Sequence, residues 1–242
     1  DKVCRWIPGE GWGEPTSVTT AMWYVDALSM QSIDQSVTEI KDYFLNRMIR
    51  LTLIDFYGFK NVTAIGNSFL SGCTNIEEIR HFEGLEKVET IGDNVMEYCN
   101  GKLDLDFSKL KSLKSIGCYF MQSCVGLTTF NVDWLNKLES IGDYFLAYCN
   151  NLTTLDLSKI TSTTLKIGQR FLFECNGLYQ IKLPSATTGG ANDSFVDALK
   201  WGIANSDSWL VANNGKFVVP SGETAQWKTL LGYTDEQAAA HI

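Results

Sequence analysis

Apolar residues return to the same columns every 25 or 26 positions along most of this chain. The pair Ile-Gly occurs at Ile65-Gly66, Ile91-Gly92, Ile116-Gly117, Ile141-Gly142 and Ile167-Gly168, and a cysteine stands eight residues after each isoleucine: Cys73, Cys99, Cys124, Cys149 and Cys175. Ile40 and Met48 hold the same two columns in a degenerate earlier unit. A bulky apolar pair, such as Phe120-Met121 or Phe145-Leu146, lies between isoleucine and cysteine. After the cysteine the pattern alternates, as in Leu152-Thr-Thr-Leu155-Asp-Leu157. Leu155 and Leu157 share one face of an extended strand, with Thr154 and Asp156 on the other. A unit of this size cannot bury its own apolar edge, so repetition at this period means stacking into a solenoid. Residues 37–184 are therefore predicted to form about six coils of an α/β repeat solenoid, with Leu105, Phe130 and Leu155 stacked in one parallel β-sheet. By its place in the repeat, His81 shares the inward column of Phe107, Val132 and Leu157.

A small polar residue follows several of the Ile-Gly pairs (Asn67, Asp93, Asp143). Such side chains accept hydrogen bonds from free amides of a following turn. Asp143 to Cys149 is accordingly predicted to be one short helical or 3₁₀ turn, with the glycine permitting the bend before it. Cysteine is a small, buriable side chain, so its column predicts a ladder of buried free thiols. No Cys-x-x-Cys occurs, which argues against zinc. Cys4 and Cys118 fall outside the column and are the cysteines left for other chemistry.

The pattern Leu-x-x-Leu-x-Leu…Leu-x-x-Ile-Gly-x-x-x-Phe-x-x-Cys-x-x-Leu resembles the BspA-like, or Treponema-type, leucine-rich repeat. The segment Leu138 to Leu152 carries it closely, and the resemblance spans roughly residues 37–184. The family usually has a proline after the strand. Here only Leu183-Pro184 does, while Ser108, Asp133 and Ser158 hold that column elsewhere. The resemblance implies a right-handed superhelix, a place on a cell surface or outside the cell, and a role in adhesion. It supplies no catalytic residue.

Two non-repeating ends flank the array. Residues 1–36 concentrate Trp6, Trp12 and Trp23 and read as an N-terminal cap or linker. Residues 185–242 read as a C-terminal α+β cap: a helix from Asp193 to about Gly202, a hairpin joining Trp209–Val211 to Lys216–Val219 through Asn213-Asn-Gly215, and a helix over Glu223–Leu231. The first residues, Asp1-Lys2-Val3, carry no initiating methionine and suggest a fragment or processed form.

With 45% hydrophobic residues the chain has the composition of a folded protein. Its net charge of −8 and lack of a basic stripe speak against nucleic acid as a partner. No apolar run approaches the roughly 18 residues of a membrane span. The chain has two histidines, His81 and His241, and no His-Glu-x-x-His or Gly-x-Ser-x-Gly motif, so no catalytic set, metal site or cofactor is predicted. One column has binding potential. Asp55, Arg80, Asp106, Asn131, Asp156 and Lys182 should point outward from successive strands, beside Leu53, Glu78, Asp104, Thr129, Thr154 and Gln180. Trp134, next to the strand end of its coil, is expected at the rim of that face. Trp6 and Trp12 are further candidate anchors. The reading is a non-enzymatic scaffold for a protein or glycan partner. A phage or virion component and an accessory module of a larger hydrolase are the alternatives.

Overall fold

The computed structural model of the chain describes residues 27–29, 36–101, 105–187, 190–204 and 215–242. They form a parallel-strand solenoid. Its longest ladder runs along the Ile-Gly column. Six two-residue strands, β2 (Glu39–Ile40), β4 (Ala64–Ile65), β6 (Thr90–Ile91), β7 (Ser115–Ile116), β8 (Ser140–Ile141) and β10 (Lys166–Ile167), pair in chain order. Each isoleucine lies opposite the next, as in Ile91↔Ile116 and Ile116↔Ile141.

The expected single sheet on the Leu-x-Leu column is split in two. β1 (Ala27–Ser29), β3 (Leu53–Asp55) and β5 (Glu78–Arg80) pair at one end. β9 (Thr154–Asp156), β11 (Gln180–Lys182) and β12 (Lys216–Val218) pair at the other. Leu155 stacks in β9, but Leu105 and Phe130 lie outside strands. Phe130 occupies the column of Ile54 and Leu155 and meets Phe107 at 5.7 Å, Phe145 at 6.0 Å and Trp134 at 6.2 Å.

The segment between isoleucine and cysteine is neither α-helix nor 3₁₀. Alternate residues take left-handed backbone: Tyr119, Met121 and Ser123 in one coil (φ 60°, 51°, 58°), Tyr144, Leu146 and Tyr148 in the next (φ 59°, 54°, 60°). Every described coil has three such positions, and Gly72 is the single glycine among them. Their amides bond between coils in alternating directions. Tyr119 N–H donates forward to Asp143 O (2.7 Å), Leu146 N–H back to Phe120 O (3.0 Å), and Ser123 N–H forward to Ala147 O (2.8 Å). A left-handed non-glycine residue costs about 1–2 kcal/mol. A hydrogen bond returns about 0.5–1.5 kcal/mol net. The conformation is thus supported by neighbouring coils rather than by its own sequence.

The cysteines complete this turn. Cys124 donates its thiol to Met96 O (3.1 Å), Cys149 to Met121 O (3.3 Å) and Cys175 to Leu146 O (3.0 Å). Each carbonyl belongs to the central left-handed residue of the preceding coil. Alanine or valine would fill the space without donating. All five thiols of the column are buried and free. Burial pushes the Cys73 thiol up to about 12, and raises Cys99, Cys124 and Cys175 for the same reason.

Beside the cysteines, the bulky pair stacks coil on coil. Phe120, Phe145 and Phe171 lie ring over ring at 5.6 Å. Asp42, Asn67 and Asp93 each accept from the amide of the equivalent residue one coil on (2.7, 2.8 and 2.7 Å). Coils this close leave no room for a Cβ after the isoleucine. On Gly117 it would lie 2.3 Å from Asp93 Oδ1 and 2.6 Å from Gly92 C. These glycines have no positive φ, so close approach rather than the expected bend requires them.

The last coil is closed by the C-terminal residues. Ser194 Oγ accepts from Ile167 N (2.8 Å) and donates to Ile167 O (3.1 Å), doing for the edge of β10 what another strand would do. Ser194 lies in helix α1 (Asp193–Leu199), whose N-cap is Asn192, one residue before the expected Asp193. Phe195, Val196, Leu199 and Ile203 are buried. Helix α2 (Thr224–Leu231) buries Trp227, whose indole donates to Pro184 O (3.1 Å). Helix α3 (Asp235–His241) opens on a capping box of Thr234 and Gln237. The expected hairpin arm at Lys216 instead joins β11 in parallel, and the other arm, 209–211, lies outside the described residues, as do Cys4, Trp6, Trp12 and Asp104.

Three outcomes follow from this packing. Thiol titration of the native protein will label Cys118, which is partly exposed, and will reach the five column cysteines only after denaturation. A thiol whose folded pKa exceeds its unfolded value adds stability that is complete below the unfolded value and lost as pH rises through the folded one. The thermal midpoint will therefore fall between pH 9.0 and about 12. An equally steep fall in Cys73→Ala would remove that thiol as its cause. Separately, Gly117→Ala will destabilise by about 1–3 kcal/mol in denaturant titration, because the Gly92-Asp93 backbone of the preceding coil must shift.

Candidate functional site

The outward column of the Leu-x-Leu face is built on one local device. Asp55, Asp106, Asn131 and Asp156 each accept the amide two residues on: Tyr57 (2.9 Å), Ser108 (3.1 Å), Asp133 (2.8 Å) and Ser158 (3.0 Å). These turns take the chain off the face after each coil, so the column's polar character has a structural origin. Ser108's hydroxyl, donating to Asp106, holds that carboxyl below its ordinary range. Several of the exposed charges are paired locally. Arg80 pairs with Glu78 (2.6 Å), Lys109 with Asp106 (3.4 Å) and Lys182 with Asp156 (3.1 Å).

Three placements differ from expectation. Asp55 is buried, at 4% exposure, and bonds His81 Nδ1 (2.9 Å) as well as the Tyr57 amide. Trp134 is buried at 5% rather than lying at a rim. Its indole donates to Asn131 O (2.7 Å) and stacks on Phe107 at 4.9 Å. His81 is exposed, and Phe82 takes its column, packing on Phe56 (6.3 Å) and Phe107 (5.3 Å). The coil from Ile65 to Ile91 has 26 residues where the next two have 25. His81, at φ 51°, is the extra residue, and its left-handed backbone carries it out of the core.

Arg80, Asp106, Asn131, Asp156 and Lys182 do lie exposed on one face with Glu78 and Thr129. In the inward column beneath that face Ile79, Leu105 and Phe130 are only partly buried, whereas Ile54, Leu155 and Ile181 in the same column are fully so. This exposure comes with the split sheet and had no signal in the repeat register. A second feature lies on the edge formed by the left-handed turns. Tyr119 and Tyr144 stack at 4.9 Å, and the Arg170 guanidinium sits 5.0 Å from the Tyr144 ring and 5.4 Å from that of Phe173. The recurrence of tyrosine three residues after the isoleucine (Tyr43, Tyr119, Tyr144) is the sequence signal for it.

Among the described residues, no group of three His, Cys, Asp or Glu is placed to hold a metal ion, and no helix is long and apolar enough to cross a membrane. The His81–Asp55 pair lies against the edge of the Tyr57 ring (5.4 Å). A model of the BspA type leucine rich repeat region matches residues 24–110 and 80–200, with six copies. The chain belongs to the BspA-type leucine-rich-repeat family. That family is one of repeat scaffolds that commonly bind proteins. Two solved structures of such proteins are similar. One is the T. pallidum leucine rich repeat protein TpLRR, at 21% identity and a TM-score of 0.33, with 66% of this chain and 59% of that one covered. The other is a Bacteroides ovatus leucine-rich repeat protein, at 13% identity and a TM-score of 0.37, with 81% and 71% covered. The chain thus spans 59% of the length of the Treponema protein. No protein with a curated functional description matches it.

The buried indole changes what a Trp134 substitution measures in this BspA-type repeat. Trp134→Ala will lower stability by about 3–5 kcal/mol, read as a shifted denaturation midpoint, because a cavity opens beneath Phe107 and Phe130. A midpoint like that of the parent would mean that the indole is not packed there.

Proposed function

We propose that this chain is a non-enzymatic recognition scaffold, acting at a cell surface or outside the cell, that binds a protein partner through its Leu-x-Leu face. The observation that carries the reading is the partly exposed trio Ile79, Leu105 and Phe130, set within exposed Glu78, Arg80, Asp106, Thr129 and Asn131. An apolar centre with a polar rim is the anatomy of a protein interface. The coils hold that centre on a rigid stack, so little ordering cost is added on binding. The rim charges are already paired, which suits orientation and specificity more than affinity.

The test is a binding screen of the purified chain against extracellular-matrix proteins and a glycan array, repeated with Arg80→Glu/Thr129→Arg. Both positions are exposed, so the fold should tolerate the change. A protein ligand should be bound by the parent, and at least about tenfold more weakly by the variant, as expected for a blocked interface centre. Equal affinity for both chains would remove this face from the function, and turnover of any substrate would remove the non-enzymatic reading.

A further inference from the structure

The acidic side chains of this solenoid differ in how far they are paired. On the Leu-x-Leu face and the edge that follows it, Asp106 pairs with Lys109, Asp156 with Lys182, Glu86 with Lys111 and Glu89 with Lys114, while Glu77, Glu83 and Asp133 have no ion-pair partner among the described residues. On the left-handed turn edge, Asp93, Glu97, Asp143 and Glu174 have no ion-pair partner among the described residues. The same edge carries the stack Tyr119, Tyr144 and Arg170, one residue from each of three successive coils. These residues share nearly one backbone conformation (φ 60°, 59°, 60°), so their side chains leave the turn in the same direction.

Arg170 shows how this edge treats a cation, since its guanidinium lies over the ring at one end of the stack. At the other end, Tyr119 has Tyr144 as its ring partner and no second ring or cation among the described residues. The preceding residue of its column is the short Asn94, flanked by Asp93 and bonded through its amide to Glu97 Oε2 (3.2 Å). Burial holds the Glu97 carboxyl above its ordinary range, with no cation beside it to bring it down. Asp93 uses Oδ1 on the Cys118 amide (2.7 Å).

We infer that the turn edge is a second interaction surface, separate from the Leu-x-Leu face, that takes an arginine-bearing protein segment, with a guanidinium stacked on Tyr119 between Asp93 and Glu97. Charge complementarity selects the occupant. The edge offers carboxylates without counter-ions next to ring faces, the combination that favours a planar cation. A neutral glycan would leave those carboxylates unneutralised and would find the face of Tyr144 already covered from both sides.

The experiment is fluorescence anisotropy at physiological ionic strength with a labelled peptide of alternating arginine and serine, its lysine counterpart, and cellohexaose as competitor. The inference expects saturable binding of the arginine peptide, weaker binding of the lysine peptide, and no displacement by cellohexaose. Tyr119→Ala should weaken binding at least about threefold, the scale of an exposed cation–π contact. Asp93→Asn/Glu97→Gln should do the same, and its side-chain amide oxygen at position 93 can still accept the Cys118 amide. The charge-matched control, Glu86→Gln/Glu89→Gln, should bind like the parent. Matched thermal midpoints establish that each variant is folded. No saturable binding, equal loss in the control, or binding indifferent to Tyr119 overturns the inference. Displacement by cellohexaose overturns it in favour of a glycan.

Discussion

Every described coil of this protein depends on a peptide geometry that a single coil could not hold. Three residues per turn sit in left-handed backbone, almost all with side chains. Their strain is comparable in size to the inter-coil hydrogen bonds that their amides make. Register between coils is therefore exacting, and the repeated residues are those that serve it. Glycine follows isoleucine because a Cβ would strike the coil below. Cysteine sits where a small side chain must also donate to the carbonyl of a left-handed residue. Asp or Asn follows glycine because its oxygen reaches the next coil's amide. Cys118 stands in that last column, and the ladder resumes only with Asp143, which accepts from Gln169.

Periodicity made most of the fold legible, since a column in sequence is a column in space. Ile, Phe and Cys could be placed from spacing alone, and helix α1 from its apolar face. What spacing concealed has specific causes. The left-handed turn was hidden because only Gly72 among its positions is a glycine, and tyrosine, leucine or arginine at such a φ has no signature. His81 was misplaced because a 26-residue coil holds one residue more than its neighbours, and spacing does not say where the extra residue loops out. Trp134 looked like a surface anchor from its sequence neighbours, but the rings of Phe107 and Phe130 enclose it. The polar column from Asp55 to Asp156 was read as a contact surface. Its oxygens first serve the chain's own turns.

The same distinction organises the two candidate surfaces. On the Leu-x-Leu face, charges that lie one coil apart or within one turn neutralise each other, so what remains for a partner is shape and a partly exposed apolar centre. On the turn edge, successive coils place carboxylates without ion-pair partners beside tyrosines, with arginines at two of the turn positions, Arg47 and Arg170, so what remains is uncompensated charge next to ring faces. A surface of the first kind discriminates by fit, and one of the second kind by the sign and planarity of what approaches.

A stacked solenoid also limits how those surfaces can communicate. Coupling between sites needs an element with two arrangements whose balance each ligand shifts. Here the turn edge and the Leu-x-Leu face are joined by a core of stacked phenylalanines and by ladders that close at fixed register. Moving one coil relative to the next would break the thiol, Asx and amide bonds of that level together. Two ligands on the two surfaces would therefore be held by one rigid frame and would bind independently, which suits a scaffold that brings two partners to a fixed separation.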